Sequence, residues 1–283
     1  MRTKDSICFL CQSEKATQEN SHILPKFIAN SVLGASNAKK GVIIDPGTAD
    51  KAPTYIQDTD KEDYLLCPSC ESYFSILERY IANHFHNILR DSKESNRFKE
   101  SKLETFIIKE CLNINPIIFR LFIYSLIWRC SISSGIFSDF HLDSEEEELL
   151  RATLVKYKSI SQKDFIEKVK NDKSIIIIPF VMITAQTFND KTGNITGTWG
   201  ELKNPYHLFL NEYLLIFSFD KNDKQACFNG ANNIDNSNIK ILFFTKEFWS
   251  SYQKEYLLLI AEIAKGVLKE KGLAPWVTKK NAK

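Results

Sequence analysis

Two cysteine pairs of identical spacing, Cys8-Phe9-Leu10-Cys11 and Cys67-Pro68-Ser69-Cys70, constrain this chain more than any other feature. A C-x-x-C turn presents two thiols side by side, and two such turns complete the tetrahedron of a structural zinc site. The spacing predicts one Zn²⁺ ion held by Cys8, Cys11, Cys67 and Cys70. The alternative, four reduced thiols packed in a core, leaves the repeated spacing unexplained. The 55 residues between the pairs are more than a compact zinc ribbon uses, so other structure is inserted between the knuckles.

The remaining three of seven cysteines, Cys111, Cys130 and Cys227, stand singly among apolar residues. The polar start Met1-Arg2-Thr3-Lys4-Asp5 leads into no apolar run, so no secretory signal is expected. Reduced thiols in a cytoplasmic protein suit a metal site better than disulfides. The longest apolar run, Pro116 to Trp128, contains Arg120 and falls short of the ~20 residues a membrane span needs. It reads as a buried helix, and no membrane partner is expected. A formal net charge of +2 gives no push toward nucleic acid, and residues 1–90 hold ten Lys and Arg against eleven Asp and Glu. Tight nonspecific DNA binding through a bulk basic patch is therefore not predicted.

The pattern divides the chain into a zinc module at 1–90, a polar linker at 91–101 and a larger α+β domain at 102–283. Within the module, Lys26 to Leu33 predicts a short helix, 35–63 a long loop with a turn at Asp45-Pro46-Gly47, and Tyr64-Leu65-Leu66 a strand entering Cys67. Phe74, Leu77, Ile81, Phe85 and Ile88-Leu89 recur at helical spacing, and Pro68 stands where a first helical turn tolerates a missing N–H. Beyond the linker, Lys102 to about Ser134 reads as mostly helical with a break near Asn113–Pro116. Ser144 to Lys158 is a helix with a capping box at Ser144 and Glu147, and Ser161 to Asn171 is another. The runs 174–188, 195–199, 208–219 and 239–244 read as antiparallel strands. Lys246 to Lys271 closes the chain as a helix ended by Gly272. The expected fold class is thus α+β, with a mixed helical and antiparallel-sheet domain after the zinc module.

Three residues near the knuckles carry candidate chemistry. A neutral imidazole at His22 can take a proton from water and make a nucleophile; the structural alternative is a histidine that buttresses the zinc fold. Glu71 follows Cys70 directly, and Glu78 lies seven residues on. Seven residues advance a helix by almost two turns, leaving the two carboxylates about 20° apart on one face. Hard carboxylate oxygens suit Mg²⁺ or Mn²⁺, which can stabilise a leaving oxygen. The alternative is two solvated acids on an amphipathic helix. His84 and His86, two apart, point to different sides and read as surface or packing residues. Lys26, Lys39 and Lys40 could touch phosphate, but they read more readily as solvated lysines. The Trp128-Arg129 and Trp199-Gly200 pairs read as buried aromatics, the first with an arginine that needs a partner.

Residues 8–78 combine C-x-x-C, Ser-His-Ile-Leu-Pro-Lys-Phe, Leu-Leu-Cys-Pro-Ser-Cys-Glu and the later Glu78. In this combination the stretch, about a quarter of the chain, resembles the HNH (ββα-metal) endonuclease superfamily in a zinc-stapled form. The resemblance implies a zinc-bound ββα-metal module in which His22 is the general base. Glu71 stands where the family has a metal-binding asparagine, and Glu78 corresponds loosely to a third polar residue. It implies hydrolysis of phosphodiester bonds, DNA being the expected substrate, with a catalytic Mg²⁺ or Mn²⁺. Residues 102–283 are left for recognition, sensing or dimerisation, and a bacterial defence or mobile-element setting follows by analogy alone. The chain departs from the family at Ser21, where an acid usually precedes the histidine, and at Glu71 and Glu78. Two functions stay open: a nuclease with an H-E-E site, or a catalytically inactive zinc-stapled module that binds nucleic acid or protein.

Overall fold

The computed structural model describes residues 2–33, 41–43, 54–56, 60–103, 106–172, 174–185, 195–198, 205–220 and 233–270. The turn at 45–47, Lys39, Lys40, Trp199, Gly200, Cys227 and Gly272 lie outside them. The fold is α+β. Among the described residues no helix is long and apolar enough to cross a membrane.

The chain opens with the first knuckle, closed by Gln12 in the left-handed region at φ 53°, whose amide donates to the Cys8 carbonyl at 2.9 Å. β1 (Ser21–His22) follows, then helix α1 (Lys26–Leu33). A small antiparallel pair, β2 (Gly41–Ile43) and β3 (Thr54–Ile56), lies within the expected loop. β4 (Lys61–Glu62) returns to pair with β1, Ser21 against Glu62 and His22 against Lys61. Tyr64 to Leu66 is not the expected strand: Tyr64 has φ 58°, which breaks an extended run. Helix α2 (Pro68–Ile81) starts inside the second knuckle, with Pro68 in its first turn. It passes through a π-helical segment at Ala82–His86 into the short α3 (Asn87–Arg90).

Residues 91–101, expected as a linker, carry structure: a 3₁₀ helix at Ser92–Arg97 and then β5 (Phe98–Lys102). β6 (Phe106–Cys111) is also a strand, so the expected helix from Lys102 begins only at α4 (Pro116–Ile132). Asn115 caps α4, its side chain accepting from the Ile117 and Ile118 amides. α5 (Ser144–Tyr157) has its capping box at Asp143 and Glu146, one residue before the expected pair. α6 (Gln162–Asn171) is capped by Ser161. Then come β7 (Phe180–Ala185), β8 (Ile195–Thr198), β9 (Tyr206–Asn211), β10 (Tyr213–Phe217), β11 (Lys240–Phe244) and helix α7 (Lys246–Glu270). The run at 208–219 is thus a hairpin, turned at Asn211 with φ 69°.

Among the described residues the large sheet has seven strands in the order β5-β6-β11-β7-β10-β9-β8. Its neighbours are antiparallel except β11 and β7, which run parallel. Side chains alternate across it as strand geometry requires. Phe180, Met182, Leu208, Leu210, Tyr213 and Leu215 join the core that contains α4, whereas Val181, Ile183, Phe209, Leu214 and Ile216 meet Trp249 and Tyr256 of α7. The first cluster is continuous from Cys8 and the other knuckle cysteines through α2 and α4 to Phe243 of β11.

α4 lies at the centre of this cluster. Fifteen of its seventeen residues are buried, which fits a helix with no polar face. Each fully buried Leu, Ile or Phe contributes ~1.5–3 kcal/mol. Two arginines interrupt the apolar surface. Arg120 donates to the carbonyls of Ile178, Asn233 and Asp235 and lies over the Phe180 ring, tying α4 to the segments flanking β7 and β11. Arg129, in the last turn, faces β1 and α2.

Candidate metal centre and the adjoining histidine–glutamate site

The Sγ atoms of Cys8, Cys11, Cys67 and Cys70 all lie within 4.8 Å of one another, the only group of three or more potential metal ligands among the described residues. Local backbone geometry accounts for the convergence. The amides of Cys70 and Glu71 both donate to the Cys67 carbonyl at 3.1 Å, folding the second pair over the start of α2. The Phe9 amide donates to the Leu65 carbonyl, holding one knuckle against the other. Cys8, Cys67 and Cys70 are fully buried. Hydrogen bonding from Cys70 brings Cys8 down to about 4, and the same contact pushes Cys70 up. Four thiols at this separation are a donor set that fits Zn²⁺, which binds them as thiolates.

Cations from α5 and its C-terminal cap surround the cluster. Arg151 donates through Nη1 to the Leu10 carbonyl of the first knuckle at 2.8 Å. Lys158 donates to Ser69 Oγ in the second knuckle at 2.8 Å, and Ser69 Oγ lies 3.2 Å from Cys67 Sγ. Their outward partners are the half-exposed or exposed carboxylates of Glu148 and Glu14. Sequence reasoning missed both cations. The seven-residue interval between Arg151 and Lys158 is the only local sign that they share a side of the helix.

Along α2 from the knuckle, Glu71, Glu78 and the backbone of His22 gather around Arg129. Its Nη1 donates to Glu78 Oε1 at 2.7 Å and to the backbone carbonyl of His22 at 3.0 Å. Its Nε donates to the Ser125 carbonyl at 3.2 Å, and the guanidinium lies 5.0 Å from the Phe74 ring centroid. The Arg129 side chain is only 3% exposed, while that of Glu78 is 24% exposed. Ser21, itself buried, donates to Glu71 Oε2 at 3.0 Å. Burial pushes the Glu71 carboxyl above its ordinary value; Arg129 and the Ser21 hydroxyl pull it back, and Glu78 adds to the rise. The structure therefore brings the strand of His22, Glu71 and Glu78 to one place, with an arginine from α4 among them.

Glu71, Glu78 and His22 do not form a three-ligand metal group. Glu78 is ion-paired and Glu71 carries the Ser21 hydroxyl, so these side chains do not fit the expected Mg²⁺ or Mn²⁺ as they stand. His84 stacks on Tyr80 at 4.3 Å, and His86 is buried with Nδ1 at 3.0 Å from Tyr213 Oη; both are packing residues. Lys26 is exposed. Cys111 and Cys130 are buried free thiols, Cys111 being pushed up to about 12 by burial.

No protein-family profile, curated protein or solved structure matches this chain.

Proposed function

We propose that this chain is a zinc-stapled, HNH-type module that hydrolyses phosphodiester bonds in nucleic acid, most readily DNA, with His22 as the general base. The observation that carries this reading is the meeting of β1, Glu71 and Glu78 at Arg129, although His22 and Glu78 are 56 positions apart in sequence. The order β1, β4, α2, with α2 starting at the second knuckle, supports a ββα arrangement. In it Zn²⁺ would be bound by Cys8, Cys11, Cys67 and Cys70 and would hold the knuckles together. The half-exposed His22 on β1 takes a proton from the attacking water. Arg129 fixes the strand from behind through the His22 carbonyl.

The test is cleavage of supercoiled plasmid and of single-stranded RNA by zinc-loaded protein, with Mg²⁺, with Mn²⁺ and with neither. Wild type should cut, and His22→Ala should lose ~10²–10⁴ in rate while retaining its zinc. Equal rates in the two proteins would remove His22 from the chemistry.

One observation favours a second reading, a non-catalytic module that binds nucleic acid or protein. The Arg129–Glu78 ion pair withdraws a carboxylate from chemistry. Binding without cleavage under every metal condition would select this reading.

A further inference from the structure

We propose that Arg129 is the resident cation of the Glu71–Glu78 pair and excludes a divalent ion from it. This rests on the reading above only in taking His22, Glu71 and Glu78 as one site.

Arg129 is in the last turn of α4, where the helix dipole favours a cation. α4 is the most deeply buried helix of the fold, so its last turn is held by packing on every side. A buried guanidinium is costly unless its charge and its N–H groups are met. Here Glu78 meets the charge, the carbonyls of His22 and Ser125 take N–H groups, and the Phe74 ring covers one face. Nη2 is buried and has no hydrogen-bond partner among the described residues. The side chain is thus held at four points.

The charges then decide what else can enter. A divalent ion held by Glu71 and Glu78 would place two positive charges beside a fixed third. It would also have to take Glu78 from Arg129, leaving a buried guanidinium without its carboxylate. The other acceptors are neutral carbonyls, and Glu71, the other carboxylate near it, already accepts from Ser21 and would be shared with the ion. With Arg129 in place, the two acids hold one unit of fixed positive charge delivered by a helix outside the zinc module.

The experiment is a titration of zinc-loaded protein with Mn²⁺, free Mn²⁺ being followed by its electron paramagnetic resonance signal. Wild type should bind no Mn²⁺ at this site below about 1 mM. Arg129→Gln, with zinc content and circular dichroism unchanged, should gain one site, and Glu71→Gln in that background should abolish it. Should Arg129→Gln fail to fold, Arg129→Met keeps the stem on Phe74 and asks the same question. Stoichiometric Mn²⁺ binding by wild type that Glu71→Gln or Glu78→Gln removes overturns the proposal. So does a folded Arg129 variant that gains no site. The hydrolytic reading fails separately: a protein that takes no Mn²⁺ and cuts nothing loses that reading and leaves the Arg129 assignment standing.

Discussion

A buried histidine shows most directly how single residues set the solution behaviour of this protein. His86 lies in the π-helical segment between α2 and α3, with Phe27 edge-on at 4.7 Å and Tyr213 Oη on Nδ1. Arg90 and Glu212 form an ion pair beside it, with Glu212 Oε1 3.7 Å from Nδ1. Burial first, and Arg90 second, bring its value down to about 3. In the unfolded chain the imidazole takes up a proton near its ordinary 6.5, whereas the folded one refuses it until about 3. The stability this group contributes is therefore complete above pH 6.5 and lost as the pH falls toward 3. Its slope is up to about 1.4 kcal/mol per pH unit. Urea unfolding of wild type and His86→Gln between pH 4 and 7 checks this: the variant's curve should be flatter by that slope. Parallel curves would show that the unfolded and folded imidazoles titrate alike. Arg129 is the other residue whose meaning lies in its surroundings. In sequence it stands directly after the apolar run that ends at Trp128, beside a tryptophan read as buried. The partners are contributed by β1 and α2 through tertiary packing, which no local pattern encodes.

At the scale of elements, helices were the readable part. Their apolar spacing, Pro68 at the start of α2 and Ser161 before α6 are local signals, and they mark the ends within a residue or two. β5 and β6 were not readable, for a specific reason. β6 is buried at every third residue, Ile108 and Cys111, which imitates helical spacing. β5, Phe-Lys-Glu-Ser-Lys, is a sheet-edge strand whose charges resemble a linker; edge strands carry such charges to avoid pairing with other chains. The four cysteines of the candidate metal centre were readable because equal spacing is itself the signal. Their environment was not, since it depends on α5 docking against both knuckles. That docking has a measurable effect. Residues that surround metal ligands commonly contribute 10–100-fold to metal affinity. Lys158→Met should therefore weaken zinc binding ~10-fold or more in competition with a chromophoric chelator, without loss of helix content. An unchanged affinity would mean that Lys158 serves only its bond to Ser69.

For the whole molecule, the position of β11 in the large sheet has a consequence for how the protein is made. The last strand of the sheet in sequence is not at an edge but third in order, between β6 and β7. Before it arrives, β5–β6 and β7–β10–β9–β8 are two ribbons that are not neighbours in the sheet among the described residues. A growing chain emerges from the ribosome at ~5–20 residues per second. It therefore carries two open strand edges until more than 240 residues have been joined. A chain ended at Asn238 should be insoluble or bind hydrophobic dyes strongly, even though it retains both knuckles, α4 and six of the seven strands. A soluble fragment with dispersed amide resonances would show that the halves close without their centre. Otherwise synthesis must outrun aggregation, and this protein's yield in a cell will depend on how long those edges wait.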